Sequence, residues 1–221
     1  MSSTETGSSA SPADDIGACT RLEPEPAITV RPDAAQLTGI FVLPDGTRVR
    51  TRPIEPRDIE ALRTFHAHLS RESIVFRFFR YLPELSRRDA EHFTHVDYDN
   101  RMALVATQGE GDQERLIAVV RYDRLDPESA EVAFVVADEW QGHGIATALL
   151  LQLAAYARAH GITRLVAITM ATNMRMLEVL RHCGYPITIH SEHSEDEVLL
   201  DISLPPAQVL ALMPFFPASD A

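Results

Sequence analysis

Residues 131–159 read EVAFVVADEWQGHGIATALLLQLAAYARA, and few architectures admit that succession of an apolar run, a glycine-bearing turn and a helical repeat. Val132, Ala133, Phe134, Val135 and Val136 make a short run rich in β-branched residues, which predicts a strand covered on both faces. Gly142 and Gly144 then permit positive φ and leave their amides unshielded. Ile145, Leu149, Leu150, Leu153, Tyr156 and Ala157 recur at helical spacing, and Gly161 supplies a stop. A strand, a glycine turn and a helix start aim free N–H groups and the positive end of the helix dipole at one point. That arrangement suits a phosphate or pyrophosphate.

Three glycine loops compete for this segment. A Walker loop ends in Gly-Lys-Ser/Thr, and the chain has no lysine; all 20 of its basic residues are arginine. The dinucleotide fingerprint G-x-G-x-x-G/A finds Gly142 and Gly144 but meets Thr147 in place of the third small residue. The pattern Q/R-x-x-G-x-G/A is satisfied by Gln141, Gly144 and Ala146.

The flanking sequence predicts a mixed chain. Ile40, Phe41, Val42 and Leu43, a Pro44-Asp45-Gly46 turn and residues 47–52 signal a hairpin. Pro56 opens a helix whose Ile59, Leu62, Phe65 and Leu69 share a face, and Ser86 caps a second, shorter helix. Residues 102–107 and 116–122 read as strands, as do 165–168 after the central helix. Asn173 caps a helix bearing Met176, Leu177 and Leu180, and residues 188–190 and 198–202 form a closing antiparallel pair. Residues 1–37, rich in Ser, Thr, Ala, Pro and Asp, read as a disordered arm. Residues 38–204 form one domain, and 205–221 a tail with an apolar piece over 209–213.

Charge and cysteine content narrow the function. A net charge of −12 argues against non-specific binding to nucleic acid or anionic membrane and favours a basic partner. No leader peptide or membrane span is expected, since no long uncharged apolar run occurs. Cys19 and Cys183 give no disulfide framework, so a cytoplasmic location is expected.

The loop pattern between an apolar strand and an apolar helix resembles the CoA-binding signature of the GNAT superfamily of N-acetyltransferases. Asn173 through Gly184-Tyr185 is similar to that superfamily's second motif. Arg52-Pro53-Ile54, Leu69-Ser70, Ser73, Arg77-Phe78-Phe79, Leu85-Ser86, Phe93-Thr94 and the segment 97–106 resemble the acetyltransferase domain of bacterial Pat-type protein lysine acetyltransferases. The resemblance implies an α/β (α+β) GNAT fold, with a mixed, mostly antiparallel central sheet of about seven strands flanked by about four helices.

It also implies an assignment of roles. Acetyl-CoA would be the co-substrate, held by Phe134, Val135, Val136, Gln141, Gly142, His143, Gly144, Ile145, Ala146 and Asn173. The acetyl carbonyl would meet backbone near Phe134 or Val135. Glu131 would be the general base that takes a proton from the attacking amine. The acceptor implied is a protein lysine side chain; a small-molecule amine acetyltransferase and a non-catalytic acyl-CoA-sensing module stand as alternatives. Many members place a tyrosine acid where this chain has Leu180, which leaves water, Tyr185 or Tyr98 for that task. No metal is expected: the pairs His66/His68, His92/His95 and His190/His193 lack a third ligand. Trp140 and Cys183 read as packing residues, while Arg175 or Arg181 could reach the CoA 3′-phosphate.

Overall fold

The computed structural model describes residues 33–206, so residues 1–32 of the arm expected over 1–37 and the apolar piece at 209–213 lie outside the described residues. Residues just ahead of the expected boundary at 38 are structured. Ala34–Leu37 forms a 3-10 turn capped by Asp33, Leu37 is buried in the core, and its carbonyl accepts a 2.8 Å hydrogen bond from Gln152. One leucine in a polar stretch carries no periodic signal, which hid this anchor.

Eight strands form one sheet: β1 (Gly39–Val42), β2 (Arg48–Pro53), β3 (Arg101–Gln108), β4 (Arg115–Arg124), β5 (Ser129–Val136), β6 (Arg164–Met170), β7 (Ile187–Glu192) and β8 (Glu195–Asp201). Their order across the sheet is β1-β2-β3-β4-β5-β6-β8-β7. Every neighbouring pair is antiparallel except β5 and β6. That exception follows from α4 (Ile145–Ala159), a 15-residue helix that carries the chain back across the sheet before β6 begins.

Strands β3 and β4 are buried on both faces because helices cover both. In β3, Met102, Leu104 and Ala106 join the core under α4 and α5 (Met174–His182). Ala103 and Val105 point the other way, into a second core under α1 (Ile59–Ala67), α2 (Arg71–Phe78) and α3 (Arg87–Thr94). The period-2 alternation of a strand thus separates two apolar layers. Leu149, Leu150 and Leu153 of α4 sit almost wholly inside the first layer, where truncation of one to alanine costs about 2–5 kcal/mol.

The expected mixed, mostly antiparallel sheet flanked by helices is present, with eight strands and five α-helices among the described residues where about seven and about four were expected. The added helix is α2. Ser70 caps it by accepting from the Ser73 amide, and Phe79 ends it in the left-handed conformation at φ 56°. No helix among the described residues is long and apolar enough to cross a membrane.

Candidate active site

The β5–β6 ladder pairs Ser129 with Arg164, Ala130 with Leu165 and Glu131 with Val166, and then stops. Strand β5 continues alongside β4 as far as Val136, so from Val132 onward its β6-side edge has no strand beside it. The gap opens into a cleft of about 780 Å³. Residues 131–136 line it, together with α2, the glycine turn, the first turn of α4 and one side of α5 along its length. At about 3.3 Å per residue the exposed edge runs roughly 13 Å from Val132 to Val136.

Which peptide groups face the cleft follows from strand alternation. The Ala137 amide donates to the Ile117 carbonyl on β4, while the Val136 carbonyl accepts from Gln141 Nε2 at 3.0 Å on the open side. Even-numbered residues of β5 therefore turn their N–H and C=O toward the cleft, and odd-numbered ones toward β4. Of the two expected backbone positions, Phe134 presents its peptide groups to the cleft. Val135 does not: its peptide groups bond to β4, and only its side chain reaches the cleft wall.

At the far end of β5 the chain makes the expected turn. Gly142 and Gly144 adopt φ of 78° and 80°, and a Cβ on either would stand in open space. The α4 ladder begins only with the Ala148 amide donating to the Gly144 carbonyl. The amides of Gly142, His143, Gly144, Ile145, Ala146 and Thr147 consequently find no acceptor among the described residues. This cradle, at the positive end of a four-turn helix, fits a pyrophosphate. The His143 side chain is turned away from the cleft and bonds to the Gln141 carbonyl at 3.0 Å. Ile145 is buried, and Ala146 lines the cleft floor. Asn173 is a buried cap whose side chain accepts from the Met176 amide at 3.2 Å, on the opposite wall.

A hydrogen-bond latch fixes the turn. Asp138 accepts from the Ser70 amide at 2.8 Å, Ser70 Oγ at 2.7 Å and Ser73 Oγ at 2.8 Å. Ser73 Oγ also accepts from Gln141 Nε2 at 3.1 Å, and Gln141 Oε1 accepts from Arg175. Burial would raise the Asp138 carboxyl, but the Ser70 and Ser73 donors outweigh it and hold the group below its ordinary value. Gln141 is thus a structural hub whose side chain is committed to protein partners.

Glu131 is exposed at the opposite end of the open edge, and its carboxylate makes no hydrogen bond among the described residues. Neither tyrosine considered as an acid lines the cleft. The Tyr98 hydroxyl donates to the Ile54 carbonyl at 2.7 Å, and Tyr185 is buried with its hydroxyl 3.4 Å from Arg158. Leu180 is fully buried in the core. Among the described residues no group of His, Cys, Asp and Glu could hold a metal ion; His66, for instance, bonds to the Leu82 carbonyl at 2.8 Å. Sequence reasoning missed the α2 wall of the cleft, formed by Glu72, Phe76, Arg77 and Phe79, and also His182 of α5. Its one visible signal was the Ser70, Ser73 and Arg77-Phe78-Phe79 run.

Comparison with known proteins agrees with this geometry. Residues 48–186 match the acetyltransferase (GNAT) domain family. An acetyltransferase of Pseudomonas aeruginosa is 31% identical over 144 residues, covering 65% of this chain and 77% of that one. The acetyltransferase Pat of Mycolicibacterium smegmatis is 29% identical over 189 residues, covering 82% of this chain and 55% of Pat, so the chain spans about half of that relative. The crystal structure of the GNAT domain of S. lividans PAT superposes with a TM-score of 0.70 at 39% identity, over 76% of this chain and 98% of that domain. The chain belongs to the GNAT acetyltransferase family, and acetyl-CoA is the co-substrate that fits its cleft.

Proposed function

We propose that this chain transfers the acetyl group of acetyl-CoA directly to a primary amine, with Glu131 as general base and a protein lysine as acceptor. One observation supports this above others: a single cleft carries a free carboxylate at one end of an unpaired strand edge and an unpartnered amide cradle at the other. The resemblance to Pat-type acetyltransferases favours the lysine acceptor.

In this reading the pyrophosphate rests on the amides 142–147, and the thiol-bearing arm lies along β5 between that strand and Asn173. The Phe134 amide is placed to donate to the thioester oxygen, where negative charge grows as the amine attacks. Glu131 takes the proton of the acceptor ammonium, directly or through one water. The nitrogen lone pair forms the new C–N bond, the C–S bond breaks, and the CoA sulfur leaves with the electron pair. With Tyr98, Tyr185 and Leu180 all outside the cleft, the second proton, which the nitrogen loses as the intermediate collapses to the amide, passes through water in the open cleft to that sulfur. No residue of the cleft is a cysteine or serine nucleophile held by a histidine, which favours direct attack over an acyl-enzyme.

The test is Glu131→Gln. Thiol release in the presence of lysine peptides should fall by about 10²–10⁴-fold, while calorimetric titration should show unchanged acetyl-CoA affinity. A variant that retains its rate would remove Glu131 from the role of base, and a wild-type chain that binds no acetyl-CoA would remove the whole reading.

A further inference from the structure

Near Glu131 the sheet face carries two arginines, and a third, Arg77, lines the cleft itself. Across the β3–β4–β5 face, Arg101 lies opposite Asp123, and Asp123 opposite Glu131, with Arg121 next in line opposite Ala133. Asp123 is fully engaged, accepting from Arg101 Nε at 2.9 Å and from Arg121 Nε at 3.1 Å. Arg121 is buried against the Phe93 ring, and its Nη2 has no hydrogen-bond partner.

Arg77 reaches the same place from α2. It lines the large cleft and also a second, mostly apolar cavity of about 40 Å³ that Arg121 and Val135 share. Its guanidinium makes no hydrogen bond or ion pair among the described residues, and it lies over the ring of Phe78 at 5.0 Å. Burial and the like charge of Arg121 pull its pKa down to about 10 against the opposing pull of Glu131 and Asp123. Arg77 and Arg121 share this corner with Glu131 and Asp123, and Asp123 is already taken up by Arg101 and Arg121, which leaves Arg77 without a bonded carboxylate among the described residues.

We propose that Arg77 is a specificity-determining residue that receives a carboxylate carried by the acceptor close to its amine. Glu131 and Arg77 then form a complementary pair, one facing an ammonium and the other a carboxylate. The acceptors favoured are a lysine flanked by aspartate or glutamate, or an amino acid with a free carboxylate. This rests on the proposed acetyl transfer and refines its acceptor. A charge-assisted, forked contact to a carboxylate from a half-buried guanidinium should favour such acceptors by about tenfold.

Two matched pairs of probes separate the sources: the peptides Gly-Asp-Lys-Gly and Gly-Asn-Lys-Gly, capped at both ends, and lysine against lysinamide. Thiol release with acetyl-CoA gives kcat/KM for each. Quenching of Trp140, the single tryptophan and a cleft-lining residue, gives equilibrium affinity for the same probes on the CoA-saturated chain even where turnover is absent. The wild-type chain should favour the carboxylate member of at least one pair by about tenfold. Arg77→Gln should bring that ratio to near one, and Arg77→Lys, which keeps the charge and loses the fork, should retain part of it. Thermal melts report whether each variant is folded.

A wild-type ratio near one in both pairs would overturn the proposal, as would a ratio unchanged in Arg77→Gln. An equal fall in kcat for every probe would reduce Arg77 to a structural role and overturn it too. A preference for succinyl-CoA over acetyl-CoA that vanishes in Arg77→Gln, with no acceptor preference, would move the carboxylate to the acyl donor. Affinity ratios as expected with no transfer to any probe would count against the transferase reading and leave the recognition by Arg77 standing.

Discussion

Asp138→Asn tests how the glycine turn is held in place. The substitution keeps the size of the side chain but replaces an anion that accepts three hydrogen bonds, at 2.7–2.8 Å, by an amide whose NH2 group faces donors. Bonds to a charged acceptor contribute more than neutral ones, but this carboxylate is only half-buried and solvent screens it. A total loss of about 1.5–2.5 kcal/mol is therefore expected at pH 7. For a chain of this size that corresponds to a fall in Tm of roughly 4–8 °C.

The pH dependence has a definite sign. The folded state holds the Asp138 carboxyl below its ordinary value, so its contribution is present above the unfolded pKa of about 3.9 and fades as pH falls through the folded one. In urea titrations the stability gap between wild type and Asp138→Asn should be constant from pH 7 to about 5 and narrow below about 4. Because Ser73 also accepts from Gln141, acetyl-CoA affinity should weaken as well. A gap that is absent at pH 7, or that does not narrow in acid, would refute the latch as described.

Gly144→Ala has room for its Cβ but must hold a left-handed φ of 80°, so it should cost about 1–2 kcal/mol in a urea titration. Gly144→Asp adds a carboxylate at the amide cradle and should weaken acetyl-CoA binding at least tenfold by calorimetry; unchanged affinity in the folded variant would sink the phosphate assignment. Leu180→Tyr, which would place a phenol at the position many relatives use, meets a fully buried site. It should destabilise by about 1–3 kcal/mol without raising kcat, and a gain in rate would show that this position reaches the reacting atoms after all.

What the amino-acid order made legible was local. The run Val132–Val136, Gly142 with Gly144, and the helical stripe from Ile145 each carry their own geometry, and all three appear where the pattern put them. Helix α2 escaped notice because its eight residues, RESIVFRF, mix β-branched and charged side chains without a clear stripe. It is held in part by Asp138, which bonds to residues 65 and 68 positions away. The parting of β5 from β6 has no sequence signal either, since the same apolar residues would suit a fully paired strand. Val135 was grouped with Phe134 for that reason: only the register shows which of two adjacent peptide groups faces the gap. Arg77 was visible as part of a motif, but its neighbours Arg121 and Glu131 come from two other elements.

An unpaired strand edge inside a sheet is ordinarily a hazard, an invitation to whatever extended chain comes by. Here the invitation is enclosed, lying between β5 and the walls supplied by α2 and α5. In the proposed complex, the amide-bearing arm of the co-substrate occupies the place of a missing strand, and the sheet is complete only while substrate is bound. The hydrogen-bonding machinery on that edge is main chain, so side chains along it are free to drift without loss of the donor site. In that proposed complex the choice of acceptor falls to side chains such as Arg77 on the α2 wall, which take no part in the latch that holds the glycine turn.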